Sequence, residues 1–520
     1  MHARNWILAS SLLLLAPMPL YAAGTAQATS QAAKNVAPHP QFAVTHHSIR
    51  LGGETIRFTA TAGSLVLKNP KNQPAATMFF VAFTQDGVRN AASRPITFLY
   101  NGGPGSSSIW LELGAFGPIR IVTTNATQTP PPPYRLESNP YSLLDKTDLV
   151  FIDAPGTGFS HLLPDGKPAE FYGVDQDGNA FAQFIRRYLN KYHRWNSPKF
   201  LFGESYGTTR SAVLANILEH KGIALNGVIL LSSILDFETA GFTPGNDLPY
   251  ILYLPSYAAV AWYHKALPAR PKALKPFLEE VEQFATTQYA HALLKGSRLS
   301  PATRSAVLKK LHQYTGLPES YWAKANLRVN NSQFEKELLR NRDEVTGRLD
   351  ARFTGWSMDL LGEYQNWDPM MGAISPAFTA AFHHYLSSYL DYRPRRKYEV
   401  LNMKVNRSWN WKHRVAGLGK KSWPGFTNVA PDLAFAMIQN KYLQVMVNSG
   451  YFDLGTPFFA TDYTFDHLFD PVAGTARLMQ RVHKFYYQSG HMVYLHPASL
   501  RVFKDNVARF IEQTLAGDRK

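Results

Sequence analysis

The first half of the chain alternates between strand-type and helix-type runs of hydrophobic residues. Residues 46–83 alternate with a period of two between turn signals, which is typical of antiparallel strands at a sheet edge. The short, largely apolar runs that follow have the length of buried strands, and they are Ile96–Tyr100, Asp148–Asp153, Phe200–Phe202 and Asn226–Ser232. Helical periodicity separates the later runs, as in residues 178–192. This order favours an α/β fold with a mostly parallel central sheet and helices on both faces.

The pattern changes in the second half of the chain. From residue 241 to 429 the apolar periodicity is helical and rich in aromatic residues, with few strand candidates. Strand-type runs return at Tyr442–Asn448 and Lys484–Tyr487, beside helix-type runs at Ala434–Gln439 and Leu500–Leu515. We therefore predict an α/β core made of residues 43–240 and 430–520, which is interrupted by a large helical cap insertion at 241–429.

The N-terminus has the composition of an export signal. A short basic start is followed by an apolar run to about Leu20 and then by small residues, while Pro17 and Pro19 disfavour a membrane anchor. We predict a signal peptide at 1–23, a mobile lead-in at 24–42, and a bacterial protein that is periplasmic or secreted, with no stable membrane span after cleavage. The chain has 520 residues and no cysteine, so its stability has to come from the size of its core.

The formal net charge of +16 at pH 7 is spread along the chain. Its densest part begins at Arg393–Lys397 and continues to Lys421, with aromatic residues between the basic ones. Such a run can bind nucleic acid or an anionic surface, but no nucleic-acid module accompanies it. A solvated, ion-paired face is therefore the favoured interpretation, and no nucleic-acid partner is predicted.

A G-x-S-x-G pentapeptide, Gly203-Glu204-Ser205-Tyr206-Gly207, stands between a strand-type and a helix-type run. The two glycines permit a sharp strand-to-helix turn that lifts the central serine hydroxyl clear of the sheet. The pentapeptide alone is weak evidence, because an ordinary joint between a strand and a helix can have the same composition. Its position after a strand and before a helix favours Ser205 as a nucleophile.

A nucleophilic serine needs a base, and the base needs an orienting acid. In sheet enzymes with this turn, the acid and then the base follow the serine along the chain, each just past a strand. Asp453 follows the run at Tyr442–Asn448, and His491 follows the run at Lys484–Tyr487. The other candidates are Asp462 and Asp466 for the acid, and His483 and His496 for the base.

An acyl-transfer site also needs two donors for the oxyanion that develops on the substrate. One is predicted to be the backbone N–H of Tyr206, directly after the nucleophile. The other should come from a glycine-rich loop after an early strand, where the sequence has Asn101-Gly-Gly-Pro-Gly105. Because only glycine lets the backbone approach a substrate so closely, Gly103 is the predicted donor, although an ordinary Gly/Pro turn has the same composition.

Together these pieces resemble the serine carboxypeptidase family. The matching motifs come in the family's order from about residue 95 to the C-terminus, and they are Asn101-Gly-Gly-Pro-Gly-Ser-Ser-Ser108, Asn139-Pro-Tyr-Ser142, Val150-Phe-Ile-Asp-Ala-Pro-Gly-Thr-Gly-Phe-Ser160, Gly203-Glu-Ser-Tyr-Gly207 and Gly490-His-Met-Val493. The resemblance implies an α/β-hydrolase fold and the hydrolysis of peptides from their carboxyl end. It also implies a Ser205–Asp453–His491 triad with Gly103 and Tyr206 as the oxyanion hole.

The resemblance further implies that Asn101 and Glu204 hold the terminal carboxylate of the substrate. In the family, a second glutamate in an E-L-G-P stretch shares a proton with the first, since two carboxyls in contact cannot both ionise. An ungapped alignment puts Ala115 at this position, and Glu112, three residues earlier, either replaces it or is a surface residue. Ser106 stands where the family has a loop cysteine, in keeping with a chain that has no disulfides.

The sequence therefore predicts an exported serine-type carboxypeptidase that acts on peptides through an acyl-enzyme. No cofactor or metal is expected, since the chain has no H-E-x-x-H or comparable ligand cluster. One alternative is an esterase or acyltransferase that uses the same triad, which loss of the second glutamate would favour. A non-catalytic binding protein on the same scaffold is a weaker alternative, because all three triad candidates are present.

Overall fold

The computed structural model describes residues 41–417, 425–468 and 475–517. The predicted signal peptide and nearly all of the predicted lead-in lie outside these residues. The first strand begins at Phe42, so the sheet starts four residues before the predicted alternation at His46. Within the described residues, no helix is long and apolar enough to span a membrane.

The strands of the described residues occur throughout the chain. In chain order they are β1 (Phe42–Leu51), β2 (Glu54–Lys68), β3 (Pro74–Gln85), β4 (Ile96–Tyr100), β5 (Ile119–Ile121), β6 (Leu136–Ser138), β7 (Asp148–Ile152), β8 (His161–Leu162), β9 (Lys199–Glu204), β10 (Gly227–Leu231), β11 (Glu344–Thr346), β12 (Thr354–Trp356), β13 (Gln444–Gly450) and β14 (Val482–Tyr487).

The α-helices are concentrated between β10 and β13. In chain order they are α1 (Val174–Lys191), α2 (Tyr206–His220), α3 (Leu248–Tyr263), α4 (Leu274–Phe284), α5 (Ala290–Lys295), α6 (Pro301–Thr315), α7 (Glu319–Lys324), α8 (Asn331–Glu337), α9 (Pro369–Ser388), α10 (Met403–Arg407), α11 (Ala430–Gln439), α12 (Phe458–Asp466), α13 (Thr475–Met479) and α14 (Pro497–Gly517). A π-helical turn also occurs at Leu111–Phe116.

One mixed sheet organises the molecule, in the order β1-β2-β3-β7-β4-β9-β10-β13-β14, with β8 paired to β3. The pairs from β1 to β7 are antiparallel, and all pairs from β7 to β14 are parallel. The predicted α/β class, with an antiparallel edge and a mostly parallel centre, is confirmed. The carboxyl ends of β4, β9 and β13 therefore meet at one edge of the sheet, where open α/β sheets place their sites.

Each face of the sheet carries its own hydrophobic core, because strand side chains alternate between the two faces. Phe200 and Phe202 of β9 belong to one cluster with α9 and α14, whereas Leu201 belongs to the other with α1, α2 and α11. Observed helices begin before the predicted ones; α1, for example, begins at Val174 rather than at residue 178.

The segment between β10 and α11 is mainly helical, as its periodicity predicts, but it also contains the β11–β12 hairpin. Helices α3 to α8 enclose a third cluster that includes Tyr257, Phe284 and Trp322. Phe452 and Leu454, which follow β13, belong to the same cluster. The helical segment therefore packs directly against the loop that carries Asp453.

Candidate active site

Ser205 occupies a strained turn between β9 and α2. Its φ of 61° and ψ of −131° lie in a region that residues other than glycine rarely adopt, as a nucleophile turn requires. Its backbone N–H donates to Leu231 at 3.0 Å, and its carbonyl accepts from Thr208 at 2.8 Å, so β10 and the first turn of α2 both hold the turn. The side chain is half-buried and faces a cavity of about 380 Å³.

Asp453 and His491 are hydrogen-bonded to each other, with His491 Nδ1 at 2.8 Å from Asp453 Oδ2. Both are buried, and His491 lines the same cavity as Ser205. The other candidates have other partners: Asp462 and Asp466 contact Lys484, His483 contacts Gln444, and His496 contacts Ser499. The structure thus brings together the acid and the base that the spacing favours.

A third side chain, that of Thr456, contacts both Asp453 and His491. Its Oγ1 donates to Asp453 Oδ2 at 2.7 Å and lies 3.2 Å from His491 Nδ1. The backbone N–H groups of Gly455 and Thr456 donate to Asp453 Oδ1 at 2.7 and 3.0 Å. Burial acts to lower the pKa of His491, but the charge of Asp453 and its hydrogen bond outweigh burial, and the pKa is raised. The imidazole is therefore a stronger base than a free histidine.

The glycine-rich loop after β4 lies against the start of α2. A Cβ on Gly102 would lie 2.4 Å from the backbone nitrogen of Tyr206, so no larger residue fits at this contact. Gly103 has a φ of 105° and lines the cavity. The two backbone segments that are predicted to form the oxyanion hole are therefore adjacent, on the Ser205 side of the cavity.

Asn101 and Glu204 also line the cavity, and both are buried. The Tyr494 hydroxyl lies 3.2 and 3.0 Å from the two carboxylate oxygens of Glu204. Burial raises the pKa of Glu204 to about 7, while His491, Tyr494 and Asn101 oppose this effect. At mildly acidic pH, Glu204 is therefore protonated and can donate a hydrogen bond.

Glu112 and Ala115 both lie in the π-helical turn, and both are buried. The interpretation of Glu112 as a surface residue is therefore wrong. Glu112 is not among the residues that line the cavity. Its Oε1 makes no hydrogen bond of normal geometry within the described residues, and the neighbouring Tyr385 hydroxyl only partly opposes the effect of burial on the carboxyl group. Burial raises its pKa to about 8. Three residues do not complete a π-helical turn, which is wider than an α-helical one, so Glu112 and Ala115 face different surroundings.

A strap formed by residues 399–414 runs along the edge of this site. Bridges join Leu401 to Ser106 and Asn410 to Gly173, and Trp409 Nε1 donates to the Tyr206 hydroxyl at 3.1 Å. At its end, His413 contacts Asp175 at 2.6 Å and Asp432 at 2.7 Å. Burial acts to lower the pKa of His413, but the two aspartates outweigh burial and raise it to about 9. A protonated histidine therefore ties the strap to the core.

Sequence reasoning missed three side chains: Thr456, Tyr494 and Arg348, the last of which also lines the cavity. Thr456 and Tyr494 each lie three residues after a predicted site residue, but spacing alone does not show that they turn back towards it. Arg348 lies between β11 and β12, in a segment without a recognisable motif. Within the described residues, no group of three or more potential metal ligands is found.

Similarity to known proteins identifies the family of this chain. A sequence profile described as serine carboxypeptidase matches residues 53–492. Similar proteins include serine carboxypeptidase-like 36 of Arabidopsis thaliana, 25% identical over 32% of this chain and 34% of that protein. Another is the pheromone-processing carboxypeptidase KEX1 of Ogataea parapolymorpha, 26% identical over 38% and 31%. The matched stretch thus spans only about a third of the length of these relatives.

Among solved structures, the prohormone-processing carboxypeptidase Kex1 of Saccharomyces cerevisiae has the same fold. The match covers 88% of this chain and 91% of that one, with a TM-score of 0.53 and 18% identity. At this identity the likeness concerns the fold alone, whereas the sequence profile spans most of the chain. The chain belongs to the serine carboxypeptidase family.

Proposed function

We propose that the protein is an exported serine-type carboxypeptidase that releases C-terminal residues from peptides. The observation that carries the proposal is the cavity of about 380 Å³, which is lined by Ser205, His491, Asn101, Glu204 and Gly103. A nucleophile, a base and a carboxylate-binding pair on one surface are what removal of a C-terminal residue requires. Export rests on the predicted signal peptide, which lies outside the described residues.

In the proposed mechanism, His491 removes the proton of the Ser205 hydroxyl as Oγ attacks the scissile carbonyl carbon. The N–H groups of Gly103 and Tyr206 stabilise the resulting oxyanion. The imidazolium then gives its proton to the leaving amine as the C–N bond breaks, which leaves an acyl-enzyme on Ser205. Water repeats the sequence and releases the acid, while Asp453 keeps the imidazole oriented throughout.

Glu204 and Asn101 are assigned to the substrate's terminal carboxylate. Burial holds the pKa of Glu204 near 7, so at pH 5 its carboxyl group donates a hydrogen bond instead of repelling the anion. Glu204 accepts hydrogen bonds from Tyr494 and Asn101. Among the described residues that line the cavity, the only other carboxyl group is that of Asp368, which comes from a different segment of the chain. In this proposal Glu204 and Asn101 therefore bind the terminal carboxylate without the family's second glutamate.

The test compares an N-blocked dipeptide acid with its C-terminal amide and with a simple ester, at about pH 5 and about pH 7.5, which bracket the pKa of Glu204. The proposal expects the free acid to be preferred at the lower pH. Ser205→Ala is the control, and it should abolish both turnover and labelling by a fluorophosphonate. If the amide or ester is cleaved as well as the acid at both pH values, Ala115 favours the esterase or acyltransferase alternative.

A further inference from the structure

Arg348 is the only Lys or Arg side chain among the described residues that line the active-site cavity. It is exposed, and no hydrogen bond or ion pair of its guanidinium group is found within the described residues. A guanidinium group presents several donors in a fixed plane that matches a carboxylate. Arg348 is thus a cation with free donors at the mouth of a site that handles peptides.

The backbone around Arg348 is fixed by the loops that carry Asp453 and His491. The carbonyl of Arg348 accepts from the Leu454 N–H at 3.0 Å, and the carbonyl of Leu349 accepts from the His491 N–H at 2.7 Å. A Cβ on Gly455 would lie 3.2 Å from Arg348 Nη1, so the guanidinium group itself lies beside the Asp453 turn. The backbone from which the Arg348 side chain projects is therefore held by hydrogen bonds to the loops that carry the acid and the base.

The acidic side chains that interact with the charge of Arg348 do not form an ion pair with it. Asp368 lines the cavity, and Glu335 is a buried residue of α8. Burial raises the pKa of both carboxyl groups, and the charge of Arg348 only partly opposes this effect. Asp368 also accepts from the backbone N–H groups of Met370 and Leu349. Arg348 is therefore available to an external anion.

We propose that Arg348 binds a carboxylate of the substrate and makes the enzyme selective for peptides with an aspartate or glutamate side chain next to the scissile bond. This inference rests on the proposed function. The alternative partner of Arg348 is the C-terminal carboxylate of the substrate. We favour the side chain, because Asn101 and Glu204 are already assigned to the terminal carboxylate and because Arg348 lies beside the Asp453 turn.

The test measures kcat/KM for matched N-blocked dipeptides that carry glutamate or glutamine on either side of the scissile bond. Arg348→Gln should lower kcat/KM for the glutamate member of one pair about tenfold, the low end for a charge-assisted hydrogen bond that is open to solvent, and change the glutamine member little. Arg348→Lys should restore part of the loss. Arg298→Gln, an exposed arginine outside the cavity, is the matched control.

The outcomes separate the possible sources of the carboxylate. If Arg348→Gln lowers the rate for every free acid but not for the corresponding amides, the terminal carboxylate is the group bound. An equal change for all substrates, or no change, overturns the inference. If the enzyme cleaves no free-acid peptide, the proposed function fails, and blocked glutamate and glutamine esters then test Arg348 alone. The same comparison can be made without turnover, by measuring how well N-acetylglutamate and N-acetylglutamine protect Ser205 from fluorophosphonate in the wild type and in Arg348→Gln.

Discussion

Replacing Glu112 by glutamine tests how a buried carboxyl group affects stability in this chain. The residue is 3% exposed, its Oε1 makes no hydrogen bond of normal geometry within the described residues, and the Tyr385 hydroxyl only partly opposes the effect of burial. Burial raises the pKa of Glu112 from an ordinary value of 4.5 to about 8. Ionisation is thus easier in the unfolded chain than in the folded one, and the folded protein loses stability as the pH rises from 4.5 towards 8.

The size of the effect follows from the width of this pH window. At pH 7 the pH is about 2.5 units above the pKa of Glu112 in the unfolded chain, whereas the folded protein still keeps the proton. At about 1.4 kcal/mol per unit, the free energy of unfolding is lowered by about 3 kcal/mol. Glutamine has nearly the same shape but does not ionise, so Glu112→Gln should remove this pH dependence. We expect the variant to match the wild type near pH 4.5 and to be more stable at pH 7.

The assay is denaturant unfolding of both proteins at pH 4.5, 5.5, 6.5 and 7.5, with the exposed Glu54→Gln as the matched control. If the difference between Glu112→Gln and the wild type does not grow with pH, the reasoning from burial is refuted. On the free acid, Glu112→Gln should be as active as the wild type, and the same holds for the amide, because Glu112 does not line the cavity. A selective loss on the free acid would instead mean that Glu112 reaches the substrate carboxylate.

Three further predictions concern groups in and around the site. Burial raises the pKa of Glu204 to about 7, so wild-type kcat/KM on free acids should fall about tenfold per pH unit above about 7, and Glu204→Gln should remove this decline relative to the amide. Thr456→Val removes a hydrogen bond to Asp453 and should lower kcat roughly tenfold with little change in KM, as steady-state kinetics would show. His413→Ala should destabilise the protein by roughly 3 kcal/mol at pH 7 in denaturant unfolding. Because the two aspartates raise the pKa of His413 to about 9, this contribution is complete below pH 6.5 and should disappear as the pH rises through 9.

The sheet and the nucleophile turn were predictable because their signals are local. An apolar run such as that of β9 is long enough only for a buried strand, and the glycines around Ser205 are needed for a turn with a φ of 61°. The order of acid and base along the chain follows from the parallel sheet, which is why Asp453 and His491 could be chosen over their neighbours. Helix ends were less predictable, since α1 begins four residues before its apolar pattern.

The surroundings of these groups depend on contacts between distant parts of the chain. Tyr494 reaches Glu204 across 290 positions, and Leu349 accepts from the N–H of His491, although nothing in either local sequence indicates the pairing. The burial of Glu112 depends on a π-helical turn that the sequence pattern does not distinguish from an α-helical one.

The sequence by itself determined the fold class, the family resemblance and the residues that the proposed mechanism uses, because these depend on local periodicity and on motif order. Only the tertiary structure decided which carboxyl groups are buried enough to hold a proton near neutral pH, and that Arg348 lies at the cavity. The physical reason is that desolvation and electrostatic interactions depend on what packs around a group in space, and the packing partners of these residues come from remote segments of the chain.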